Sequence, residues 1–299
     1  MRRELLDFLK MHDVKFKENQ SLQAISPIKI GGEAEVVVYP DSEDKMVSLV
    51  GFLDQLKIKH KIIGRMSNLL PSDEKFKGVV VRTDLLRRCD VSDRTFTAYC
   101  GASLPYVSKI LCESGLGGFE GLSGIPGSIA GAIVGNAGAF GYEIADRLLD
   151  VRTYDPHENA IRTFSRSEAN FSYRSSVFKK IRQVVLSARF SLRSSDRTTI
   201  KKEIERCREI RLRTQPTEPS LGSTFKRPGE NIFAARLIDE CGLKGYRIGG
   251  AEISTKHAGF IVNKGGATAK DYIELSDYAA KCVFDKFGVN LEREIEIMK

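Results

Sequence analysis

The segment Gly121–Gly141, GLSGIPGSIAGAIVGNAGAFG, holds no charged residue, in a chain where 29% of residues are charged. By length and polarity it could pass for a membrane span, and Gly127, Gly131 and Gly135 reproduce the small-residue spacing of a dimerising transmembrane helix. Seven glycines and Pro126 argue against that. Each interior glycine costs a helix up to about 1 kcal/mol relative to alanine, and an interior proline about 3 kcal/mol. Asn136 would lie within the bilayer, and no lysine or arginine flanks either end to set an orientation. Two readings then stand: a backbone laid open so that its N–H groups approach a ligand, phosphate above all, or a tightly packed connection between strands. The G-x-G-x-x-G order of a Rossmann turn is missing, so any nucleotide held here is held on another fold.

A length of 299 residues predicts about two domains, or three small ones. With 41% hydrophobic residues and no fixed-period repeat, the chain reads as globular. The start, MRRELLDFLKMHDVKF, has no long apolar core and no small-residue cleavage site, so a cytosolic protein is expected. Cys89, Cys100, Cys112, Cys207, Cys241 and Cys282 form no C-x-x-C pair, which argues against a zinc site or a disulfide framework. They read mostly as small buried apolar residues. The net charge of +8 admits nucleic acid, an acidic membrane or small polyanions. Its most basic stretch, Lys201 to Arg213, interleaves Glu203, Glu205 and Glu209 and has no aromatic residue to stack on bases. That is a solvated helix face, and a positive field that gathers phosphorylated small molecules fits better than a nucleic-acid groove.

Val36 to Tyr39 reads as a strand, and Met46 to Leu56 follow at helical spacing. Ile62-Ile63 forms a short strand ending in Gly64-Arg65-Met66-Ser67-Asn68, a turn of the kind that exposes backbone N–H groups to ligands. Val79 to Val81 and Thr95 to Tyr99 read as strands, and Leu104 to Ser114 as a helix. Beyond the glycine run, Leu149 to Tyr154 and Val184 to Leu192 read as strands, and Ser194 to Arg197 as a domain boundary. Helices follow at Thr199 to Arg213 and at Ala234 to Cys241, the latter stopped by Gly242. Phe260 to Asn263 is expected as a strand and Ala269 to Phe287 as a long helix. Val289 to Ile297 is expected as a terminal strand whose alternation puts Glu292, Glu294 and Glu296 on one face.

Taken together, several segments resemble the UDP-N-acetylenolpyruvoylglucosamine reductase (MurB) family. They are IKIGGEAEVVVYP (Ile28 to Pro40), the G-x-x-S-N turn at Gly64, and the SGIPGSIAGA and GNAGAFG halves of the glycine run. Then come EANFSYRSSVF (Glu168 to Phe178), GSTFKRP (Gly222 to Pro228), LKGYRIGGAEIS (Leu243 to Ser254), KHAGFIVN (Lys256 to Asn263) and LERE near the end. Any one alone is a weak signal, but together they span nearly the whole chain in family order. The resemblance implies an α+β chain: a two-subdomain FAD-binding fold of the vanillyl-alcohol oxidase type (1–80 and 81–198) plus a C-terminal α+β substrate-binding domain (199–299). It implies an FAD-dependent oxidoreductase of peptidoglycan precursor synthesis. NADPH reduces non-covalent FAD, and the enolpyruvyl sugar nucleotide then takes the hydride from flavin N5 at its terminal alkene carbon. Small-molecule substrates are implied as partners, with neither nucleic acid nor membrane.

Negative charge develops at the neighbouring carbon and its carboxylate, so the chemistry needs a cation or acid there and a proton donor. Three positions match the family's motifs. Arg174, which can grip a carboxylate with two parallel bonds, would stabilise the charge. Local sequence alone favours a surface arginine beside Lys179 and Lys180, and the resemblance reverses that. Ser223 would donate the proton, with Lys226 or Arg174 favouring the alkoxide left behind; from local sequence alone an ordinary turn or N-cap serine is the commoner case. Glu294 matches the second glutamate of the family's L-E-x-E pattern and would assist Arg174; otherwise it is one of three glutamates on a solvent-facing edge. The FAD contacts implied are Gly64, Arg65, Met66, Ser67, Asn68 and Leu69 with Ser123, Gly124, Ile125, Pro126 and Gly127, and the substrate contacts are Asn136, Tyr173 and Lys226. No metal is implied.

Two departures stand out. Met66 replaces the second glycine of the family's G-x-G-S-N turn, so either the backbone there avoids positive φ or the pyrophosphate contact is rearranged. Arg227 stands where many members have asparagine. A catalytically silent nucleotide-binding paralogue is the alternative that Met66 suggests, and the survival of Arg174, Ser223 and Glu294 opposes it. A flavoprotein oxidase is a further alternative, but no covalent-flavin motif is present, and His12, His60, His157 and His257 do not cluster.

Overall fold

The computed structural model describes residues 2–298, and the chain forms two units built from interleaved segments. The first comprises residues 2–18, Val36–Arg65 and Gly78–Glu209; the second comprises Asn19–Glu35, Met66–Lys77 and residues 210–298.

Two hydrophobic clusters organise the first unit. In one, Leu5 and Leu9 of the helix Arg2–Met11 meet Met46, Leu49, Val50 and Leu53 of the helix Glu43–Gln55. They pack with Val36, Val38, Val79 and Val81 from a four-stranded sheet. That sheet has the order Lys15–Ser21, Glu33–Tyr39, Phe76–Arg82, His60–Ile63, with the last pair parallel. Helix spacing puts one apolar stripe on this core, and Ser42 caps the N-terminus by accepting the Lys45 N–H. The other cluster lies against a five-stranded antiparallel sheet in the order Ala160–Ser165, Leu148–Asp155, Val184–Ser191, Thr95–Tyr99, Cys89–Ser92. Strand alternation turns Phe96 and Ala98 inward, where they join Leu104, Val107 and Leu111 of the helix Leu104–Glu113.

The glycine run belongs to this second cluster, and it is not uniformly irregular. A turn of 3-10 helix at Glu120–Leu122 leads to a loop, then to a seven-residue helix Ile129–Gly135 capped by Ser128. Asn136 ends that helix in the left-handed conformation (φ +42°), and Gly138–Ala139 and Tyr142–Glu143 form a hairpin through Phe140 and Gly141. The expected poverty of helix is therefore corrected for Ile129–Gly135. Ile129, Ala132 and Ile133 are buried, and their packing outweighs the propensity cost of two glycines. Among the described residues no helix is long and apolar enough to cross a membrane.

In the second unit, Ser220–Ser223, Phe260–Asn263, Ala251–Ile253 and Arg247–Ile248 form an antiparallel sheet in that order. The helix Ala269–Phe287 lays Tyr272, Leu275, Ala279 and Val283 into a core with Leu221, Ile253 and Ile261, to which Ile28, Ile30 and Leu70 contribute. A Thr268–Asp271 capping box starts this helix and Gly288 (φ +67°) ends it. The terminal segment departs from the expected single strand. Phe225 and Arg293 form an antiparallel bridge, after which only Glu296–Met298 is strand, parallel to Leu69–Pro71. Two partners running in different directions break the alternation, so Glu294 is half-buried while Glu292 and Glu296 are exposed.

Candidate functional site

In the first unit the loop before Ser128 is pinned by backbone. Leu104 N–H donates to Gly127 O (3.0 Å), Ile129 N–H to Ala102 O (2.9 Å) and Ala130 N–H to Cys100 O (3.0 Å). Ser123 Oγ donates to Glu120 O (2.6 Å) and Ile125 N–H to Leu122 O (3.0 Å), which fixes the approach to Pro126. Among the described residues the amides of Gly124 and Gly127 donate to no protein acceptor, as a segment that presents N–H groups to an anion requires. Gly64 lies against this loop: a Cβ there would come within 2.3 Å of Ser128 Oγ. The Thr83 hydroxyl, buried and without a partner, lies 3.8 Å from the same point. A Cβ at Gly101 would lie 1.7 Å from Thr83 O. Open amides, an orphaned buried hydroxyl and a glycine cradle fit a phosphate-bearing cofactor, and Arg65 is an exposed cation at the edge.

Ser128 and Thr83 are missing from the residues expected here. Ser128 directly follows the Ser123–Gly127 stretch and was legible as a helix cap. Nothing local to Thr83 distinguishes it.

A second cluster in this unit gathers Asn136, Tyr173 and Arg174. Asn136 is buried (1% exposed) and its amide nitrogen donates to Glu143 Oε2 (2.8 Å) and Ser172 O (3.0 Å), while its Oδ1 finds no partner. Ser172 and Ser175 exchange backbone bonds across a tight turn with Tyr173 and Arg174 at its tip. Arg174 holds φ +54° there, a region costly for any L-residue that carries a Cβ. Its guanidinium donates to Gly138 O (3.2 Å) and lies 5.2 Å from the centre of the exposed Tyr173 ring. The hairpin of the glycine run thus orients the arginine, a link invisible at the sequence level.

In the second unit Met66 is buried and keeps φ +57°. Of the two alternatives raised by this substitution, avoidance of positive φ is the one the backbone contradicts. Beyond it, Asn68 Nδ2 donates to Glu294 O (3.0 Å), and Glu296 N–H donates to Asn68 O (2.9 Å). Glu294 N–H donates to Thr224 O (2.9 Å), and Lys226 N–H to Glu292 O (2.9 Å). Lys226 and Glu292 side chains form an ion pair. Ser223 is exposed next to Gly222 (φ +81°), where a register shift in the pairing with Phe260–Asn263 re-aims the strand. Thr224 turns the other way, its hydroxyl 3.0 Å from Tyr272 Oη in the core. Burial pushes the Tyr272 phenol up and the Thr224 bond only partly offsets that, so the pair stays neutral. Asn68, Ser223, Lys226 and Glu294 are thereby brought onto one short backbone framework, although 226 positions separate Asn68 from Glu294. Arg174 belongs to the first unit and these four to the second.

Residues 34–163 match the family described as FAD binding domain, and residues 215–298 that described as UDP-N-acetylenolpyruvoylglucosamine reductase, C-terminal domain. Over 297 residues the chain is 42% identical to UDP-N-acetylenolpyruvoylglucosamine reductase of Caldanaerobacter subterraneus, with 98% of each chain covered. It is 40% identical over 299 residues to the protein of that name from Streptococcus pneumoniae, covering 100% of this chain and 98% of the relative. The crystal structure of UDP-N-acetylenolpyruvylglucosamine reductase (MurB) from Thermus caldophilus matches with a TM-score of 0.80 at 29% identity, covering 96% of this chain and 99% of that one.

Proposed function

The chain belongs to the UDP-N-acetylenolpyruvoylglucosamine reductase family, and from that membership we propose that Arg174, Ser223 and Glu294 are its catalytic residues. It is an FAD-dependent oxidoreductase, a UDP-N-acetylmuramate dehydrogenase. It uses NADPH to reduce UDP-N-acetylglucosamine enolpyruvate to UDP-N-acetylmuramate in peptidoglycan precursor synthesis. The fold is the two-subdomain FAD-binding fold of the vanillyl-alcohol oxidase type, joined to a C-terminal α+β domain.

FAD, when bound, supplies the hydride relay between nicotinamide and the enolpyruvyl alkene. Gly64, Arg65, Met66, Ser67, Asn68 and Leu69 would hold it together with Ser123, Gly124, Ile125, Pro126 and Gly127; the open amides and the cradle at Gly64 support that assignment. Arg174 would grip the substrate carboxylate and stabilise the charge that develops beside it, with Asn136 and Tyr173 lining the same subsite. Ser223 Oγ–H would give its proton to the carbanion carbon, and Glu294 would help stabilise the developing charge. Lys226 would favour the alkoxide left on Ser223. The observation that carries this assignment is the backbone bond of Glu294 to Thr224: the glutamate lies beside the serine's strand and is half-buried, while Glu292 and Glu296 are exposed.

The domain division 1–80 and 81–198 for FAD and 199–299 for substrate is part of the proposal; two hydrophobic clusters in the first unit support a two-part FAD region, although Ile28, Ile30 and Leu70 of 1–80 pack in the core of the second unit. A cytoplasmic location completes it, since the NADPH reductant and the nucleotide substrate are found there.

Anaerobic half-reactions test the assignment. NADPH should bleach the flavin of Ser223→Ala at the wild-type rate, whereas reoxidation by UDP-N-acetylglucosamine enolpyruvate should slow by roughly 10²–10⁴-fold, the usual worth of a positioned proton donor. Loss of both half-reactions would make Ser223 structural, and unimpaired reoxidation would remove it from the chemistry.

A further inference from the structure

The half-buried His257 lies outside every role assigned above, yet it stands at one end of a continuous hydrogen-bonded rail in the second unit. Its Nδ1 accepts the Gly259 N–H (3.1 Å), Gly259 O accepts the Thr224 N–H (2.8 Å), Thr224 O accepts the Glu294 N–H (2.9 Å), and Glu294 O accepts from Asn68 Nδ2 (3.0 Å). Ser223 directly precedes Thr224 and pairs with Phe260, which directly follows Gly259. We propose that His257 is a positioning residue for the proton-transfer half-reaction, holding the backbone of Gly259 in the conformation that aligns Ser223 and Glu294.

The surrounding turn is built for this. Ser254 Oγ accepts the N–H groups of Lys256 (3.2 Å) and His257 (3.4 Å), and Phe260 N–H donates to His257 O (3.0 Å). The imidazole stands edge-on to the Phe260 ring, with centroids 4.8 Å apart. Gly259 is closely packed: a Cβ there would sit 3.0 Å from His257 Cε1 and 3.0 Å from Ala235 Cβ. A donor N–H pointing at Nδ1 demands the tautomer with its proton on Nε2. Adding a proton to Nδ1 turns that acceptor into a donor, so two N–H groups face each other and the backbone at Gly259 is pushed out of line.

Burial pulls the His257 imidazole below its ordinary value. Lys244 pulls the same way, while Asp239 and a backbone hydrogen bond oppose it. Lys256, its neighbour in the turn, has its ammonium on Leu212 O. The neutral form therefore prevails at pH 7, and alignment is lost only as pH falls below 6.5 and through the folded value.

The proposal rests on the catalytic assignment of Ser223 and Glu294, so Ser223→Ala serves as the reference. Reoxidation of the NADPH-reduced holoenzyme by UDP-N-acetylglucosamine enolpyruvate is followed from pH 5 to 8 in wild type, His257→Asn and His257→Leu. Asparagine can place Oδ1 where Nδ1 accepts and cannot be protonated; it should retain the neutral-pH rate and remove the acid limb seen in wild type. Leucine leaves the Gly259 N–H without an acceptor and should slow reoxidation roughly tenfold at pH 7 while flavin reduction by NADPH is unchanged. An acid limb that persists unchanged in His257→Asn overturns the proposal, as does equal slowing of both half-reactions in a folded His257→Leu. If His257→Leu does not fold, the pH profile of His257→Asn decides alone. Should Ser223→Ala reoxidise like wild type, the catalytic assignment itself fails, an outcome distinct from wild-type behaviour of the His257 variants beside a blocked Ser223→Ala.

Discussion

Met66 and Arg174 hold φ of +57° and +54° without being glycine, a conformation that costs an L-residue roughly 1 kcal/mol or more. For Met66 the compensation is burial at 4% exposure, worth about 1.5–3 kcal/mol for such a side chain. This predicts an inversion of the usual order: Met66→Gly, which removes more side chain, should destabilise less than Met66→Ala, because only glycine relieves the backbone. Urea midpoints of the two variants check it, and an alanine variant more stable than the glycine variant would show that the backbone does not keep positive φ. In the second unit, Glu294 is half-buried between Thr224 and Asn68 whereas Glu296 is exposed. Glu294→Gln should reduce turnover by roughly 10²–10⁴-fold with FAD still bound, and Glu296→Gln should be near neutral. Equal effects would sink the assignment. The sequence pattern alone put the two glutamates on one face; what separates them is the change of strand partner between them.

At the scale of elements, the helix Ala269–Phe287 was legible from its apolar spacing and its capping residues. Its anchorage was not. Asp73 accepts the N–H groups of Ala269 (2.7 Å) and Lys270 (3.1 Å), adding a carboxylate at the positive end of the dipole from a segment nearly two hundred positions away. Asp73→Ala should cost about 1 kcal/mol in chemical unfolding, the usual worth of a cap. Asp271, inside the capping box, gives a pH signature. Burial raises its carboxyl, but the Thr268 and Gly250 N–H groups, the Thr268 hydroxyl and Lys270 together hold it below its ordinary 3.8. A depressed carboxylate contributes stability that is full above its unfolded value and disappears as pH falls through the folded one. The stability gap between wild type and Asp271→Asn should therefore be constant near neutrality and close below pH 3.8; a gap independent of pH would contradict the assignment. The helix Ile129–Gly135 shows the limit of propensity: glycine content argued against it, and burial of three apolar side chains decided for it.

At the scale of the molecule, the second unit draws on three stretches of chain. Its core includes Ile28, Ile30 and Leu70, its last strand pairs with Leu69–Pro71, and Asn263 Nδ2 donates to Ile28 O (2.9 Å) and Lys29 O (3.1 Å). A fragment of residues 210–299 expressed alone should therefore lack a cooperative thermal transition, since it loses core side chains, a strand partner and the Asp73 cap together. A sharp unfolding transition of that fragment by circular dichroism would show that the early segments are dispensable.

Motifs and periodicity determined the chemistry available to this chain: an uncharged glycine run able to bare its amides, a guanidinium, a hydroxyl and a carboxylate at family positions, and helices whose apolar stripes recur at 3.6-residue spacing. Those features are local, so a sequence expresses them directly. Only the tertiary structure decided which glutamate is half-buried, that Asn68 ties down Glu294, that Gly64 rests on Ser128 beside an orphaned Thr83 hydroxyl, and that a histidine belonging to no cluster heads the rail to Thr224. These are backbone hydrogen bonds and close approaches between distant segments. They form only when an assembled core brings those segments together and leaves each buried N–H one acceptor to choose. The glycine run itself spans both levels: its composition declared open backbone, and its partners at Ala102, Leu104 and Gly64 made that backbone a cradle.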